Sequence, residues 1–243
     1  MDKSLYISMN SAYNAMRQLE VMTNNLANVN TTAFRADSTY VQQQPVKETG
    51  MQSRVYSKLD KTYTDFKKGS ILSTDRDLDI ALDGDGFIAV QSKSGKEAYT
   101  RAGSLQLKNG VLTTQSGELV LGNGGAINIS NADRISIAPD GTISARYIGE
   151  TEMVAVDRIK LTNPQTSELQ KGPDSLFYLP NGGTAPQDEN VKIVSGSLEG
   201  SNVSAIETMT QLIDLTRHYQ IHTNYMKTIA DNTAKSNQLL EIR

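Results

Sequence analysis

Five aspartates crowd one short stretch of the sequence, STDRDLDIALDGDGF, and this density of carboxylates could bind calcium. The EF-hand template holds calcium with oxygen ligands at fixed positions of a loop. Started at Asp79, that template puts Ala81 at the third position and Val90 at the twelfth, where oxygen ligands are required. Started at Asp83, it puts Phe87 at the fifth. The spacing instead favours a strand at residues 79–82 and a turn at 83–86, with an irregular calcium site as the alternative.

Other signatures of catalysis or cofactor binding also fail. The Gly84–Gly86 stretch begins a G-x-G-x-x-G match, but Ala89 breaks it and a strand follows where a helix is required. His218 and His222 lie one helical turn apart, yet Tyr219 stands where a zincin needs its glutamate. The chain has no cysteine and no G-x-S-x-G elbow. We therefore predict no catalytic residue, no metal ligand and no cofactor.

Bulk composition argues against two classes of partner. The 24 basic and 27 acidic residues give a net charge of −3 without long runs of one sign, so we expect no nucleic-acid partner. No segment approaches the roughly 20 apolar residues that span a bilayer, so we do not expect an integral membrane protein. The N-terminal stretch MDKSLYISMNSAYNAMRQ lacks an apolar core and a cleavage site, which argues against a cleaved Sec signal.

The elements that must position any interface are two helical patterns, one at each end of the chain. In the first pattern, apolar residues alternate at intervals of four and three: Leu5, Met9, Ala12, Met16, Leu19, then Thr23 and Leu26. The second pattern repeats every seven residues: Ala205, Leu212, Tyr219, Met226, Thr233 and Leu240, with companions Leu215, His222 and Ile229. Residues 203–240 contain no proline or glycine, and Ser204 with Glu207 matches a capping box. Both patterns predict long amphipathic helices with a narrow apolar seam.

Each seam needs a partner, because a stripe of apolar side chains left in water is costly. The two helices could pair with each other as an antiparallel or parallel hairpin, which is the simpler interpretation. They could also pair with copies of neighbouring subunits and build a coiled-coil tube.

The centre of the chain changes to a two-residue repeat, which is typical of half-buried strands. The alternating sets are Leu105/Leu107, Leu119/Leu121, Ile127/Ile129, Ile135/Ile137, Ile143/Ala145/Tyr147, Val154/Val156 and Val191/Ile193. Turn sequences such as Lys108-Asn109-Gly110 separate them. We predict an antiparallel β domain from about Asp77 to Ser195, built as a meander, a sandwich or an open barrel.

The fold class that follows is α+β, with long N- and C-terminal helices forming a coiled-coil-like axial domain around a central, mainly antiparallel β domain. Residues 1–35 would form the first axial helix and a turn, 36–75 an extended, partly irregular connector, 76–197 the β domain and 198–243 the second axial helix. The connector is polar and lacks a clean period.

Four motifs, in the same order along the chain, resemble the axial proteins of the bacterial flagellum. NNLAN at 24–28 with TTAFR at 31–35 is similar to the family's NNLAN…TTGF signature. GSILST at 69–74 and LDIALDGDGF at 78–87 resemble a rod and hook motif, G-x-L-x-x-T…LDIAIDGDGFF. YTRAGS at 99–104 with LVLGNGG at 119–125 resembles YTRAGNF…GYPVLG. LEGSNV at 198–203, with Arg217 and Tyr219, resembles the C-terminal motif LExSNV…R-x-Y.

Details of these motifs favour the proximal rod group of the family over its distal rod relatives. The start of the chain and Arg35-Ala36-Asp37 fit the proximal group, whereas the distal group tends to read Phe-Lys-Arg after the signature. Ala33 replaces the family's usual glycine, so its turn either avoids positive φ or tolerates it at a cost. Ile88 replaces the second phenylalanine of the GFF pattern.

The resemblance implies a structural subunit of the flagellar rod, located in the periplasmic part of the basal body. It implies that the subunit leaves through the flagellar type III export apparatus and assembles with copies of itself and other rod proteins. The implied assembly interface comprises Leu5, Met9, Met16, Leu19, Asn24, Asn25, Leu26, Asn28, Phe34, Leu212, Leu215, Arg217, Tyr219, Met226, Ile229 and Leu240. The rival class is an enzyme or a calcium-dependent binding module that uses Asp75–Asp85.

The amide-rich end of the first helix has its own expectation. Asn24, Asn25 and Asn28 lie where asparagine is a poor helix-interior residue. We expect these side chains to hydrogen-bond adjoining subunits and fix axial register, and to matter more in the assembled tube than in the monomer.

Overall fold

The computed structural model of the chain describes residues 3–45 and 55–241. The described residues form two α-helices, eighteen strands and two short 3₁₀ turns. The helices are α1 (Lys3–Ala27) and α2 (Ala205–Glu241). The strands are β1 (Asp37–Pro45), β2 (Val55–Thr64), β3 (Ile71–Ser73), β4 (Ile80–Asp83), β5 (Phe87–Gln91), β6 (Glu97–Thr100), β7 (Leu105–Lys108), β8 (Val111–Thr114), β9 (Leu119–Gly122), β10 (Gly125–Ala126), β11 (Ala132–Ile137), β12 (Thr142–Tyr147), β13 (Val154–Arg158), β14 (Leu161–Thr162), β15 (Gln170–Lys171), β16 (Phe177–Tyr178), β17 (Lys192–Ser195) and β18 (Ser197–Glu199). The 3₁₀ turns are Thr166–Glu168 and Pro180–Gly182.

The chain divides into two compact units. The first, here called the helical unit, comprises Met1–Val29, Ala36–Asp65 and Val203–Arg243. The second, here called the β unit, comprises Asn30–Arg35 and Phe66–Asn202. The chain therefore passes between the units at four points, so neither unit is one continuous stretch of sequence.

Both long helices form where the periodic patterns predicted them. Absence of proline and glycine lets α2 run without a break for 37 residues. It begins after Ser204, whose Oγ accepts the backbone N–H of Glu207 at 3.5 Å, so the predicted cap is present but long. Among the described residues, no helix is long and apolar enough to cross a membrane.

The segment predicted as a partly irregular connector contains a regular β-hairpin in the helical unit. Strand β1 pairs antiparallel with β2, from Asp37 opposite Thr64 to Pro45 opposite Val55. The register shifts between Tyr40 and Val41, and such a bulge accounts for the broken alternation in the sequence. Regular pairing was hidden because most of the hairpin's side chains are polar and exposed.

In the β unit, the described strands pair antiparallel, as the alternating pattern predicted. The largest sheet has nine strands, in the order β15-β16-β6-β5-β9-β8-β7, with β10 beside β9 and β14 beside β5. The other sheets of this unit are β11-β12-β13, β4 with β17, and β3 with β18. Two of these small sheets, β4 with β17 and β3 with β18, pair strands from distant parts of the chain.

The turn between β7 and β8 shows how the sequence chooses this topology. Its two residues are Asn109 and Gly110, with φ of 52° and 80°. A two-residue hairpin turn of this kind requires positive φ at both positions, and Asn-Gly reaches it at least cost. The strands on either side pair from Leu105 opposite Thr114 to Lys108 opposite Val111.

The main core of the β unit is formed by the inward-facing residues of these strands, and most of the predicted alternating pairs contribute to it. Ile127 and Ile129 differ from the prediction, because both are fully buried but lie outside regular strands. They enter the core through the backbone bonds of Ile127 with Val120 and of Ile129 with Gly110. Burial therefore follows the two-residue pattern even where strand geometry does not.

Candidate assembly surface and junction

One face of α1 carries the hairpin of the helical unit. The side-chain amides of Asn10 and Asn14 both donate to the backbone oxygen of Ser57, at 2.6 and 2.7 Å. Asn14 also reaches the Ser57 hydroxyl at 2.8 Å. Asparagines at helical spacing therefore serve here as donors to a strand and not as helix breakers.

A second face of α1 holds the predicted seam only in part. Leu5, Leu19 and Leu26 are partly buried, whereas Thr23 is exposed. Met9 and Met16 are 54% and 50% exposed, so they do not belong to the buried stripe of the monomer. The buried or partly buried residues beside the seam are instead Ser8, Ala15 and Met22, each three positions after Leu5, Ala12 or Leu19. Ser8 and Ala15 are small, and small side chains let helix backbones approach closely. A search for apolar residues alone does not find such positions.

The positions of the seven-residue repeat in α2 differ in exposure, and Tyr219 and Thr233 are exposed. Ile229 is buried, and Leu212, Leu215 and Met226 are partly buried. Tyr219 is 37% exposed. Arg217 is exposed, and the side chain of Leu240 lies outside the described part of the structure.

The two helices pack against each other within the helical unit. Ser4, at the start of α1, lines the same hollow as Tyr225, Ile229 and Ser236 of α2. The less exposed positions of α2 run from Ala205 to Ile229, so α1 lies along the first two thirds of α2 and runs antiparallel to it. This is the simpler of the two sequence interpretations, and it leaves other faces of both helices open.

Large apolar side chains at helical spacing remain about half exposed or more on both helices. On α1 they are Tyr6, Met9, Tyr13 and Met16, which are 46–58% exposed and are here called the outer α1 residues. On α2 they are Ile206, Met209 and Ile213, which are 51–81% exposed and are here called the outer α2 residues. Contiguous apolar surface of this kind commonly marks a protein interaction site.

The amide-rich stretch contains one asparagine with a definite role inside the helical unit. Asn25 is 4% exposed, and its Nδ2 donates to the backbone oxygen of Asp37 at 2.7 Å. Its Oδ1 accepts the backbone N–H of Asp37 at 2.9 Å. Asn24 is exposed, and its backbone oxygen accepts the side chain of Asn28 at 2.9 Å. Asn25 therefore holds the first residue of the hairpin against the end of α1.

The six residues that follow, Asn30–Arg35, belong to the β unit. Ala33 has φ of 55°, so the turn does adopt the left-handed conformation that the usual glycine would reach freely. Phe34 is buried, and the Lys171 ammonium lies 4.3 Å from the centre of its ring. Lys171 also donates to the backbone oxygen of Arg35 at 2.9 Å. This side chain thus reaches the turn at two points.

A buried triad of charged residues joins this turn to Glu199, near the end of the β unit's sequence. Glu199 is 1% exposed and receives Arg35 Nη2 on Oε1 at 2.6 Å and Arg101 Nε on Oε2 at 2.8 Å. Its Oε1 also accepts the backbone N–H of Gly69 at 3.0 Å. Arg35 is 1% exposed and Arg101 4%. We call Arg35, Glu199 and Arg101 the junction triad.

Local folding accounts for the position of each member of the triad. Strand β18 pairs with β3, which sets Glu199 opposite Ile71 and so within reach of Gly69. Arg101 follows β6, and its guanidinium donates to the backbone oxygens of Gly84 and Gly86 at 2.9 and 2.7 Å. The backbone carbonyls of the glycine-rich turn after β4 thus accept hydrogen bonds from the Arg101 guanidinium.

The triad also sets the ionisation of its carboxylate. Burial by itself raises the pKa of Glu199, because a low-polarity environment disfavours the charged form. The charge of Arg101, and the hydrogen bond and charge of Arg35, outweigh burial and hold the pKa below its ordinary value. Glu199 is therefore an anion between two cations at neutral pH.

The aspartates that suggested calcium do not converge. Asp85 is 80% exposed beside Lys68, and Asp77 is 57% exposed, 3.5 Å from Arg134. Within residues 3–45 and 55–241, no three His, Cys, Asp or Glu side chains come together in a way that could hold a metal ion. The strand at Ile80–Asp83 matches the favoured interpretation of this stretch, although β4 and β5 pair with different strands and do not form a hairpin.

Sequence reasoning missed the junction triad. Arg35, Arg101 and Glu199 all lie within the motifs that resemble the family, but no spacing rule joins residues from such distant parts of a chain. The available signal was the position of each charge beside apolar or glycine residues in a strand-rich region. Charged residues are rarely buried unless they are paired. A buried position for each of the three charges would therefore have predicted that they pair with one another.

Comparison with known proteins adds independent information. Residues 81–145 match the family model "Flagellar hook protein FlgE/F/G D1 domain", and residues 194–239 match "Flagellar basal body rod FlgEFG protein C-terminal". The chain is 35% identical to the flagellar basal-body rod protein FlgF of Salmonella typhimurium, over the full length of both chains. It is 36% identical to FlgF of Escherichia coli, again over both full lengths. It is 30% identical to the rod protein FlgG of Buchnera aphidicola from Acyrthosiphon pisum, over 97% of this chain and 99% of that one. The chain therefore belongs to the family of flagellar basal-body rod proteins and is FlgF-like.

Proposed function

We propose that this chain is a structural subunit of the proximal rod of the flagellar basal body and assembles through its terminal helices. Family membership over the whole length supports the rod. The structural observation that carries assembly is the pair of apolar surfaces on the outer α1 and outer α2 residues, which the monomer leaves half exposed. Copies of the same chain and other rod subunits are the proposed partners.

The mode of assembly follows from the position of these surfaces. The outer α1 and outer α2 residues lie on two different helices of the same unit, so each copy offers two unlike surfaces. A contact between unlike surfaces that does not close into a ring builds a helical filament. Coiled-coil packing between subunits, and export by the flagellar type III apparatus into the periplasmic rod, are parts of this proposal. No catalytic role is part of it.

Nine of the sixteen predicted interface residues divide between two roles in this proposal. The seam residues Leu5, Leu19, Leu26, Leu212, Leu215, Met226 and Ile229 hold the helices of one subunit together. Met9 and Met16 belong to the outer surface that meets a neighbour. A distal rod subunit is the alternative, and the lower identity to the FlgG relative favours the proximal assignment.

An assembly test needs a variant that leaves the subunit folded. Ile213 is 55% exposed, so Ile213→Glu places a charge on the outer α2 surface without entering the helix pair. The matched control is Asn224→Glu, which adds the same charge at an exposed polar position of the same helix. Both are expressed in cells lacking the native chain, and swimming and the amount of the chain in purified basal bodies are measured.

We expect Asn224→Glu to restore swimming and Ile213→Glu to leave cells non-swimming with the chain absent from basal bodies. Circular dichroism of the purified variants should show equal helix content. If Ile213→Glu enters basal bodies at the wild-type level, assembly through this surface is wrong.

A further inference from the structure

The β unit has four chain ends, because the chain enters or leaves it at residues 29/30, 35/36, 65/66 and 202/203. The first two ends bound a segment of only six residues, Asn30–Arg35. Such a short segment cannot build a core of its own, so its place depends on bonds to the rest of the unit.

Three of those bonds lead to one region. The backbone N–H of Ala33 donates to the backbone oxygen of Glu199 at 2.8 Å, and Arg35 pairs with the Glu199 carboxylate. The backbone N–H of Asn202 donates to the oxygen of Phe34 at 3.3 Å. The short segment is therefore tied to the last residues of the unit by main-chain and side-chain contacts together.

The third chain end reaches the same region. The backbone N–H of Gly69 donates to Glu199 Oε1, and the backbone N–H of Gly200 donates to the oxygen of Ser70 at 2.8 Å. The Asn202 amide donates to the backbone oxygen of Lys67 at 3.1 Å. Residues beside all four chain ends thus meet around the strand that carries Glu199.

We propose that Glu199 is the positioning residue of this junction and that its charge holds the four chain ends of the β unit together. A carboxylate suits the task because one oxygen serves Arg35 and the Gly69 amide while the other serves Arg101. Glutamine has the same shape but no charge, and it replaces one acceptor with an N–H donor that faces an arginine. A neutral residue here leaves two buried guanidinium groups without their anion, which is strongly destabilising.

The consequence for the flagellum rests on the proposed function. If the helical unit makes the subunit contacts, then the four chain ends at which the β unit continues into it must be held in place. Glu199 would then be needed for assembly although its side chain is buried and contacts no neighbour.

The test compares Glu199→Gln with Glu97→Gln in the full chain. Glu97 pairs with Lys160 at 2.8 Å in the same unit, and neither residue belongs to the junction triad, so its variant loses an ion pair outside the triad. Amide hydrogen exchange is measured for peptides covering residues 30–35, 66–70 and 87–91. Strand β5, at 87–91, reports the core.

We expect Glu199→Gln to speed exchange at 30–35 and 66–70 by about tenfold or more, with β5 still protected. Glu97→Gln should leave both junction segments unchanged. Unchanged exchange at 30–35 and 66–70 in Glu199→Gln would overturn the proposal.

A second variant covers the case in which Glu199→Gln unfolds the whole unit. Arg35→Met removes one arm of the triad and leaves the Arg101 pair. It should speed exchange at 30–35 while β5 stays protected, and wild-type exchange at 30–35 would contradict the junction.

Swimming separates this proposal from the proposed function. If Glu199→Gln speeds exchange at the chain ends but the cells swim normally, Glu199 holds the junction and the rod does not need it. If Glu199→Gln is folded, speeds exchange at the chain ends and leaves the cells non-swimming, the result supports the junction and its need in the rod.

Discussion

Replacing Asn25 with alanine removes the two hydrogen bonds that join the end of α1 to the first residue of the hairpin. Both bonds have ordinary geometry, at 2.7 and 2.9 Å, and Asn25 is 4% exposed. Asp37 is only partly buried, so water can replace part of what its backbone loses. At about 1 kcal/mol for each bond, we expect a loss of about 2 kcal/mol in the free energy of unfolding of the helical unit.

The matched control is Asn24→Ala, at the exposed neighbouring position. Both changes exchange asparagine for alanine in the last turns of α1, so both gain the same helix propensity, about 0.6 kcal/mol. The difference between the variants therefore reports the hydrogen bonds of Asn25 alone. Urea unfolding followed by circular dichroism at 222 nm suits the measurement, because both helices belong to the helical unit.

The expected result is a lower urea midpoint for Asn25→Ala than for Asn24→Ala, with little change of slope. Equal midpoints would show that these bonds add nothing to the isolated subunit. In that case Asn25 would act only between subunits, as the sequence alone suggested. The experiment thus decides between a role inside the monomer and a role in the assembled tube.

Two further predictions concern the β unit. Gly103→Ala should cost about 3 kcal/mol or more in unfolding free energy, since a Cβ there would lie 1.7 Å from the backbone oxygen of Ile80. The control Gly124→Ala, with no atom within 4 Å of its Cβ, should unfold like the wild type, and equal destabilisation by the two changes would contradict this account. Glu199 makes stability depend on pH, because its pKa is lower in the folded protein than its ordinary 4.5. Its contribution is complete above that ordinary value and is lost as pH falls through the lowered one. Urea titrations from about pH 7 to about pH 3 should therefore show the gap between wild type and Glu199→Gln narrowing in acid, and a constant gap would refute the pairing.

Local sequence rules predicted the parts of this fold that local physics determines. The two helices follow from their apolar period and from the absence of proline and glycine. The β7–β8 turn follows from Asn109-Gly110, which needs no tertiary contact to choose its conformation. The core of the β unit follows from alternation, including Ile127 and Ile129, which the structure buries without a strand.

The parts that sequence did not predict depend on contacts between distant residues. Met9 and Met16 fit an apolar seam as well as Ser8 and Ala15 do by spacing, and only the packing of α2 and the hairpin decides which face is buried. The hairpin was missed because strands with one polar, exposed face give no strong alternation. The junction triad was missed because pairing of buried charges depends on topology, which a single sequence does not reveal.

The pairing of Arg35 with Glu199 joins residues 164 positions apart in the chain. Strand β18, which carries Glu199, is also the last strand of the chain and completes a sheet with β3. A chain delivered from its N-terminus, whether by a ribosome or through a narrow channel, therefore cannot close its β unit until its last fifth has arrived. Long-range closure of this kind slows folding, because loop entropy is lost before the contacts that compensate it can form. The junction can therefore form only after Glu199 has been delivered, so the β unit is completed late.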